Sequence, residues 1–297
     1  MGQKREKTIS TAKGTLFYED REAGIAVAGY MGEDTALRIP ERISDRSVIS
    51  VVKKAFWNSS LRNITIPHTV TEIGDWAFAG CRKLEEVTLC GAEIRGGRGL
   101  FRKCPALRKI SMPPPGRPEG ARCVAPALLA AAVTILEAEY LLYLPQECGW
   151  YARFDARILE VLGESAEHVM KHLVYCAEED MLDRQEQALY AQKKQKCRIA
   201  LLRLLHREEL SHDVEECLTA YLLQAAESGR CLWETVTAAG AEGFAYCDIL
   251  LQTGCIHAGN INAILEMTGG ERVEYRAYLL RRWQERERIP VWDTLHL

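Results

Sequence analysis

IPHTVTEIGDWAFAGCRKLEEVTL, residues 66–89, carries its apolar residues at spacings that fit neither an amphipathic helix nor one long strand. The next stretch resolves the difficulty. Leu61, Ile64 and Ile66 are followed by Leu84, Val87 and Leu89, and then by Leu107, Ile110 and Met112, each step being 23 residues. Phe78 and Phe101 recur at the same interval, and so do Cys81 and Cys104. Self-similarity at a fixed period of about 20–29 residues is the signature of a solenoid whose coils bury one apolar face against their neighbours. In LRNITI, LEEVTL and LRKISM the last four residues alternate polar and apolar, which predicts a short strand with one buried face in each coil. Pro67 and Pro113 then stop two of these strands.

An imperfect earlier copy precedes the regular ones. IPERISDRSVISVVKKAFWNSS (39–60) aligns with IPHTVTEIGDWAFAGC once about five residues are inserted after Pro40. Val48 then corresponds to Val70, Val51 to Ile73, and Ala55 with Phe56 to Ala77 with Phe78. GIAVAGYMGEDTALRIP (24–40) predicts two strands around a glycine-containing turn.

The Ile-Gly-x-x-Ala-Phe-x-x-Cys core at 73–81, with the flanking IP and VTL segments, resembles the BspA-like (type 5) leucine-rich repeat family of bacteria. The resemblance covers residues 14–113. GAEIRGGRGLFRKC (91–104) departs from the pattern, with no Ile-Gly pair and Leu100 in place of Ala. The resemblance implies a solenoid that presents surfaces, in a family described mostly as surface or interaction proteins, whose repeat carries no catalytic residues.

After the first 113 residues the periodicity changes. PPPGRPEGAR (113–122) has four prolines and two glycines, so 114–122 is predicted as a linker. VAPALLAAAVTIL (124–136), 13 residues ended by Glu137 and Glu139, is too short to span a bilayer and is predicted as a buried helix. Further helices are predicted at 151–162, 165–177, 179–193, 195–206, 213–227, 242–252, 259–267 and 271–286, with YAQKKQK (190–196) as a charged connection. Double leucines recur at 222–223, 250–251 and 279–280. ILEMTGGERVEYRAYLL (264–280) resembles the helix-turn-helix of an ankyrin repeat, although the TPLH start is missing and the period is shorter than 33. The longer stretch GNINAILEMTGGERVEYRAYLL (259–280) is also similar to the helical tail that often follows leucine-rich repeats in bacterial proteins of this kind. The predicted fold class is therefore α+β by segment: a leucine-rich repeat solenoid with a short parallel sheet (14–113), then an all-α ankyrin-like helical-repeat domain (123–288), with tails at 1–13 and 289–297.

Composition narrows the function. Apolar and charged fractions of 47% and 27% are ordinary for a water-soluble domain. The net charge of −3 hides an asymmetry: residues 1–112 hold nineteen Lys and Arg against thirteen Asp and Glu, and the remainder nineteen against twenty-eight. Such a distribution steers partners or is simply solvated surface. Eleven cysteines without a CxxC pair point to reduced, mostly buried thiols. With a polar start, MGQKREKTIS, and no transmembrane run, the expected location is the cytoplasm.

Candidate chemistry is sparse. His168, His172 and Cys176 share one face of a predicted helix and are metal-ligand candidates, but they span two turns and lack the His-Glu-x-x-His order. His206, His212 and Cys217 straddle a helix break where Ser211 or Asp213 predicts a cap, and Cys255 with His257 is a near-neighbour pair in a loop. No phosphate-binding glycine motif occurs. Arg95, Arg98, Arg102, Lys103, Arg108 and Lys109 form a basic cluster without an interleaved aromatic platform in the surrounding sequence, since the repeat places Phe101 inside. The predicted function is a non-enzymatic protein-interaction scaffold without cofactor, whose partner is a protein and neither nucleic acid nor membrane. Its predicted surface is the polar columns Asn63, Thr65, Glu86, Thr88, Lys109 and Ser111. The alternative is a metal-binding or hydrolytic protein using His, Cys and Glu of the helical half.

Overall fold

The computed structural model describes residues 7–91, 94–112, 124–143, 149–165, 181–227, 230–267 and 273–287. The chain divides into two compact units, Met1–Phe154 and Asp155–Leu297.

The first unit is the solenoid. Each coil contributes a strand to one parallel sheet: β4 (Ala36–Arg38), β7 (Asn63–Ile66), β9 (Glu86–Leu89) and β11 (Lys109–Ser111), in the order β11-β9-β7-β4. Leu37, Ile64, Val87 and Ile110 lie in one row across it, all buried, because the period-two alternation turns every second residue inward. Leu61, Leu84 and Leu107, each 1% exposed, are equivalent rungs beneath the strands. A second sheet runs β1 (Lys7–Ser10), β2 (Gly14–Arg21), β3 (Gly24–Gly32), β6 (Arg46–Val51), β8 (Glu72–Ile73) and β10 (Arg95–Gly96). Its first three strands pair antiparallel, and β3, β6, β8 and β10 pair parallel. The departing copy at 91–104 still keeps register: Arg95 lies opposite Glu72, and Gly96 opposite Ile73.

The third side of each coil is a turn carrying the Ala-Phe pair. Phe78 stacks on Phe56 at 5.2 Å and 12°, and on Phe101 at 5.5 Å and 10°. Tyr30 extends the stack to Phe56 at 6.3 Å. Backbone ladders tie the turns together: the N–H groups of Lys54, Phe56 and Asn58 donate to Asp75, Ala77 and Ala79, and those of Trp76, Phe78 and Gly80 donate to Arg98, Leu100 and Arg102. Two positions per turn are left-handed, Lys54, Trp76 and Gly99 at one and Asn58, Gly80 and Lys103 at the other. Glycine is required at 99, where a Cβ would lie 2.5 Å from the Trp76 ring. The repeating cysteines do more than fill space. The Cys81 thiol donates to the Phe56 carbonyl (3.0 Å) and the Cys104 thiol to that of Phe78 (3.1 Å), so each satisfies a buried acceptor of the preceding coil.

The inserted residues of the early copy form a hairpin. β5 (Arg42–Ile43) pairs antiparallel with β6 through Ser44 and Asp45, both at positive φ, as a two-residue type I′ connection requires. The two strands predicted in 24–40 exist, but they belong to different sheets: β3 pairs with β2 and β6, and β4 with β7. Helix α1 (Pro126–Thr134) packs against β11; Pro126 sits in its first turn, and Leu128 to Val133 are all buried. A short 3-10 turn, Glu139–Tyr143, follows.

The remaining helices are α2 (Trp150–Gly163), within which the division between units falls, α3 (Met181–Leu205), α4 (His212–Glu227), α5 (Arg230–Ala238), α6 (Glu242–Gln252), α7 (Ile261–Met267) and α8 (Val273–Glu287). The break predicted at 193–195 does not exist. α3 runs through YAQKKQK because Ala, Gln and Lys are strong helix formers with no Gly or Pro among them. α5, with its Thr and Val, was not among the predicted helices; packing against α3, α4 and α6 holds it. The helix predicted at 165–177 falls mostly outside the described residues. Ser211 caps α4, its Oγ accepting from the Val214 N–H at 3.4 Å. The long α3 packs against α4, α5 and α6, and α8 against α6. Of the double leucines, Leu222, Leu250, Leu251 and Leu279 are buried, whereas Leu223 and Leu280 are exposed.

Candidate interaction surface

The sheet of β4, β7, β9 and β11 sets the predicted surface residues in two straight columns. Asn63, Glu86 and Lys109 lie in register, as do Thr65, Thr88 and Ser111. The first column is exposed and the second half-buried, the pattern expected where the alternate residues form the core. Lys109 Nζ lies 3.2 Å from Glu86 Oε1 with both side chains more than half exposed, so the pair stabilises the fold by at most about 1 kcal/mol. Arg62 pairs with Glu85 in the adjoining column, which continues to Arg108 through the Arg108 N–H donating to the Glu85 carbonyl.

Two residues of this surface escaped the sequence reading. Ala36 lies beside Asn63, and Arg38 beside Thr65. The hairpin insertion lengthens the step from Leu37 to Ile64 to 27 residues, so a 23-residue ruler does not place β4 in the columns. The aligned Ile-Pro pairs at 39–40 and 66–67 mark the strand; what the sequence reading did not draw from them is that Ala36 and Arg38 extend the polar columns.

The basic cluster read as contiguous in the sequence is distributed around the coil. Arg108 and Lys109 border the sheet just described, Arg95 lies on β10, and Arg98, Arg102 and Lys103 lie on the turn side. Aromatic rings on the turn side meet other cations, those of the preceding coil, which lie outside this cluster. Lys54 Nζ lies 3.8 Å from the Trp57 ring centre and 5.5 Å from that of Trp76, and Lys53 Nζ lies 4.5 Å from Trp76. Trp57 is 47% exposed.

In the helical unit the candidate ligands among the described residues do not converge. His168, His172 and Cys176 lie outside the described residues. His212 is exposed and pairs with Glu216 on its own helix, and Cys217 is exposed. The Cys255 sulfur receives a hydrogen bond from Thr253, whereas His257 Nδ1 accepts from the Gly259 N–H, so the two side chains serve separate turns. Among the described residues no three His, Cys, Asp or Glu side chains gather as a metal site. A cavity of about 290 Å³ is lined by Cys197, Tyr221 and Cys231. Burial pushes the Cys197 thiol up to about 12, so it is not a thiolate at neutral pH. Lys196, on the same cavity, donates to the carbonyls of Leu162 and Glu164, closing the end of α2, and burial lowers its pKa. The polar centre of this unit is structural. Arg203, fully buried, meets Asp155 with two hydrogen bonds (2.5 and 3.0 Å) and also donates to the carbonyls of His206 and Glu208.

These features place a leucine-rich repeat of BspA type in the N-terminal region: the family model described as "BspA type Leucine rich repeat region (6 copies)" matches residues 38–118. Solved structures similar to this chain include leucine-rich repeat proteins. A Treponema pallidum leucine-rich repeat protein is 33% identical over 33% of this chain and 47% of its own, with a TM-score of 0.31. A leucine-rich repeat protein from Bacteroides ovatus is 28% identical over 35% and 29%, TM-score 0.31, and a leucine-rich cell surface protein from Faecalibacterium prausnitzii 24% over 35% and 30%, TM-score 0.30. The chain thus spans less than half the length of each of these three. No curated protein matches. No helix among the described residues is long and apolar enough to cross a membrane.

Proposed function

We propose that the protein is a non-enzymatic scaffold that binds a protein partner across the face of β4, β7, β9 and β11. The observation that carries this reading is the register of the two polar columns, which offers an extended row of hydrogen-bonding and charged groups. Repeats of this type generally mediate protein–protein contacts. The helical unit is read as ankyrin-like repeats serving as a second binding module; the double leucines on α4, α6 and α8, the first of each pair buried, support that reading. Work in the cytoplasm is supported by the thiols, every described cysteine being unpaired.

The test is affinity capture from the native host with the wild-type chain and a Glu86→Ala, Lys109→Ala variant, followed by titration of the captured protein in purified form. The variant is expected to keep the wild-type melting temperature and to raise the dissociation constant about tenfold, as removal of central charged contacts does. An unchanged constant removes this face from the proposal.

A further inference from the structure

The other sheet of the solenoid carries an unassigned groove of about 420 Å³. A register shift in β6 between Val48 and Ser50 lets Val51 lie in the core row with Ile73, while Ser50 falls in the row of Glu72 and Arg95. Ser50 is thus a polar residue in a row facing away from the core, yet it is only 5% exposed. Its hydroxyl finds no protein partner, and neither does the buried Nε–H of Arg21 on the same groove. Buried polar groups in folded proteins find a partner in the great majority of cases, so two adjacent donors without one in the protein point to a partner from outside it.

Both orphans can donate, and the nearest full charges extend the pattern. Lys53 and Arg95 line the groove, and neither has a carboxylate within 4 Å among the described residues. The groove's two carboxylates differ in role. Asp75 is already engaged, its Oδ1 accepting from the Arg98 N–H at 2.8 Å, while Glu72 stands exposed at the rim. A hydroxyl, a guanidinium N–H and two further cations around one groove form a site for an oxyanion. Glu72 and Asp75 make it a poor site for the dense negative charge of a polyphosphate and a better one for single negative charges spaced along a chain.

We infer that this groove binds a side-chain carboxylate of an acidic, extended segment of a protein partner, with Ser50 and Arg21 holding the carboxylate oxygens and Lys53 and Arg95 supplying charge. The site draws on β2, β6, β8 and β10 of the other sheet and on Lys53 after β6, apart from the Glu86 and Lys109 columns, so it stands or falls independently of the function proposed above.

The experiment uses the full chain and a capped peptide of alternating glutamate and serine, followed by amide chemical shifts. Saturable, salt-sensitive shifts are expected at Ser50, Gly74, Gly96 and Gly97. Arg95→Gln is expected to weaken binding about tenfold or more, the loss of one charge-assisted hydrogen bond or its equivalent in field. Ser50→Ala separates a ligand role from a structural one: it is expected to weaken peptide binding several-fold while leaving the melting temperature unchanged or raised, since an unsatisfied hydroxyl is removed. Inorganic phosphate and a single-stranded oligothymidylate are titrated alongside. The inference is overturned if the peptide moves none of these amides at millimolar concentration, if the oligonucleotide binds this groove more tightly than the peptide, or if Ser50→Ala lowers the melting temperature and leaves the affinity unchanged.

Discussion

Phe78 is the residue through which the solenoid is most directly tested. It is 1% exposed and lies between Phe56 and Phe101, with ring centres at 5.2 and 5.5 Å. Truncation of a buried phenylalanine to alanine costs about 3–5 kcal/mol in lost transfer energy and cavity. Each aromatic pair adds about 0.5–1.5 kcal/mol beyond area, and Phe78 makes two such pairs. Phe78→Ala is therefore expected near the top of that range, about 4–5 kcal/mol. Phe78→Leu keeps most of the volume and loses the ring contacts, so about 1–3 kcal/mol is expected. A chain of two compact units need not unfold in one step, so the assay is amide exchange on β7 and β9. An effect of about 4 kcal/mol raises their opening constants roughly a thousandfold. A Phe56→Leu, Phe78→Leu cycle is expected to show a coupling of about 1 kcal/mol. If Phe78→Ala raised exchange on these strands less than tenfold, or if the cycle were additive, the stacked column would not be what joins the coils.

In the helical unit, Arg203→Met strands Asp155 and is expected to cost about 3–5 kcal/mol, whereas pairing it with Asp155→Leu is expected to recover most of the loss; chemical denaturation of both variants checks this, and equal losses would show that the charges themselves are needed. Asp34 accepts hydrogen bonds from Thr11, Tyr30 and the Lys13 N–H, and the Thr11 bond first among them holds its carboxyl below the ordinary range. Its contribution is present above the unfolded value of about 3.9 and is lost as pH falls through the lower folded value. Exchange of the β2 and β3 amides between pH 5 and pH 2.5 is accordingly expected to be less acid-sensitive in Asp34→Asn, and an identical pH dependence would contradict the linkage.

How far the sequence revealed the fold depended on the kind of interaction that decides each part. The 23-residue spacing of Leu61, Leu84 and Leu107 records burial that repeats locally, so strands β7, β9 and β11 and the polar columns followed directly from it. The second strand of 24–40 was legible, but its place beside β7 was not, because the hairpin at Ser44 and Asp45 stretches that coil beyond 23 residues. The oxyanion groove was not legible. It draws on residues 21, 50, 53 and 95, whose proximity arises only when the sheet forms, and on a bulge that no local pattern announces. The Trp57 and Trp76 pair was missed for a related reason: the lysines beside each ring come from the same or the preceding coil, not from the arginine-rich stretch downstream. In the helical half, the continuous α3 was misread because a run of charges was taken to mean a connection, whereas helix propensity there is high throughout.

The contact of α1 with β11 sets a rule for how this molecule can change length. With that end of the ladder occupied, an added coil cannot be appended there without dislodging the helix, but one can be spliced between existing coils. Duplicating residues 67–89 would insert another Phe and another Cys in phase and lengthen the stack by one strand spacing, about 4.8 Å. The size of the exposed sheet face is thus a quantity that gene duplication can adjust in whole steps, while both boundaries of the solenoid stay as they are.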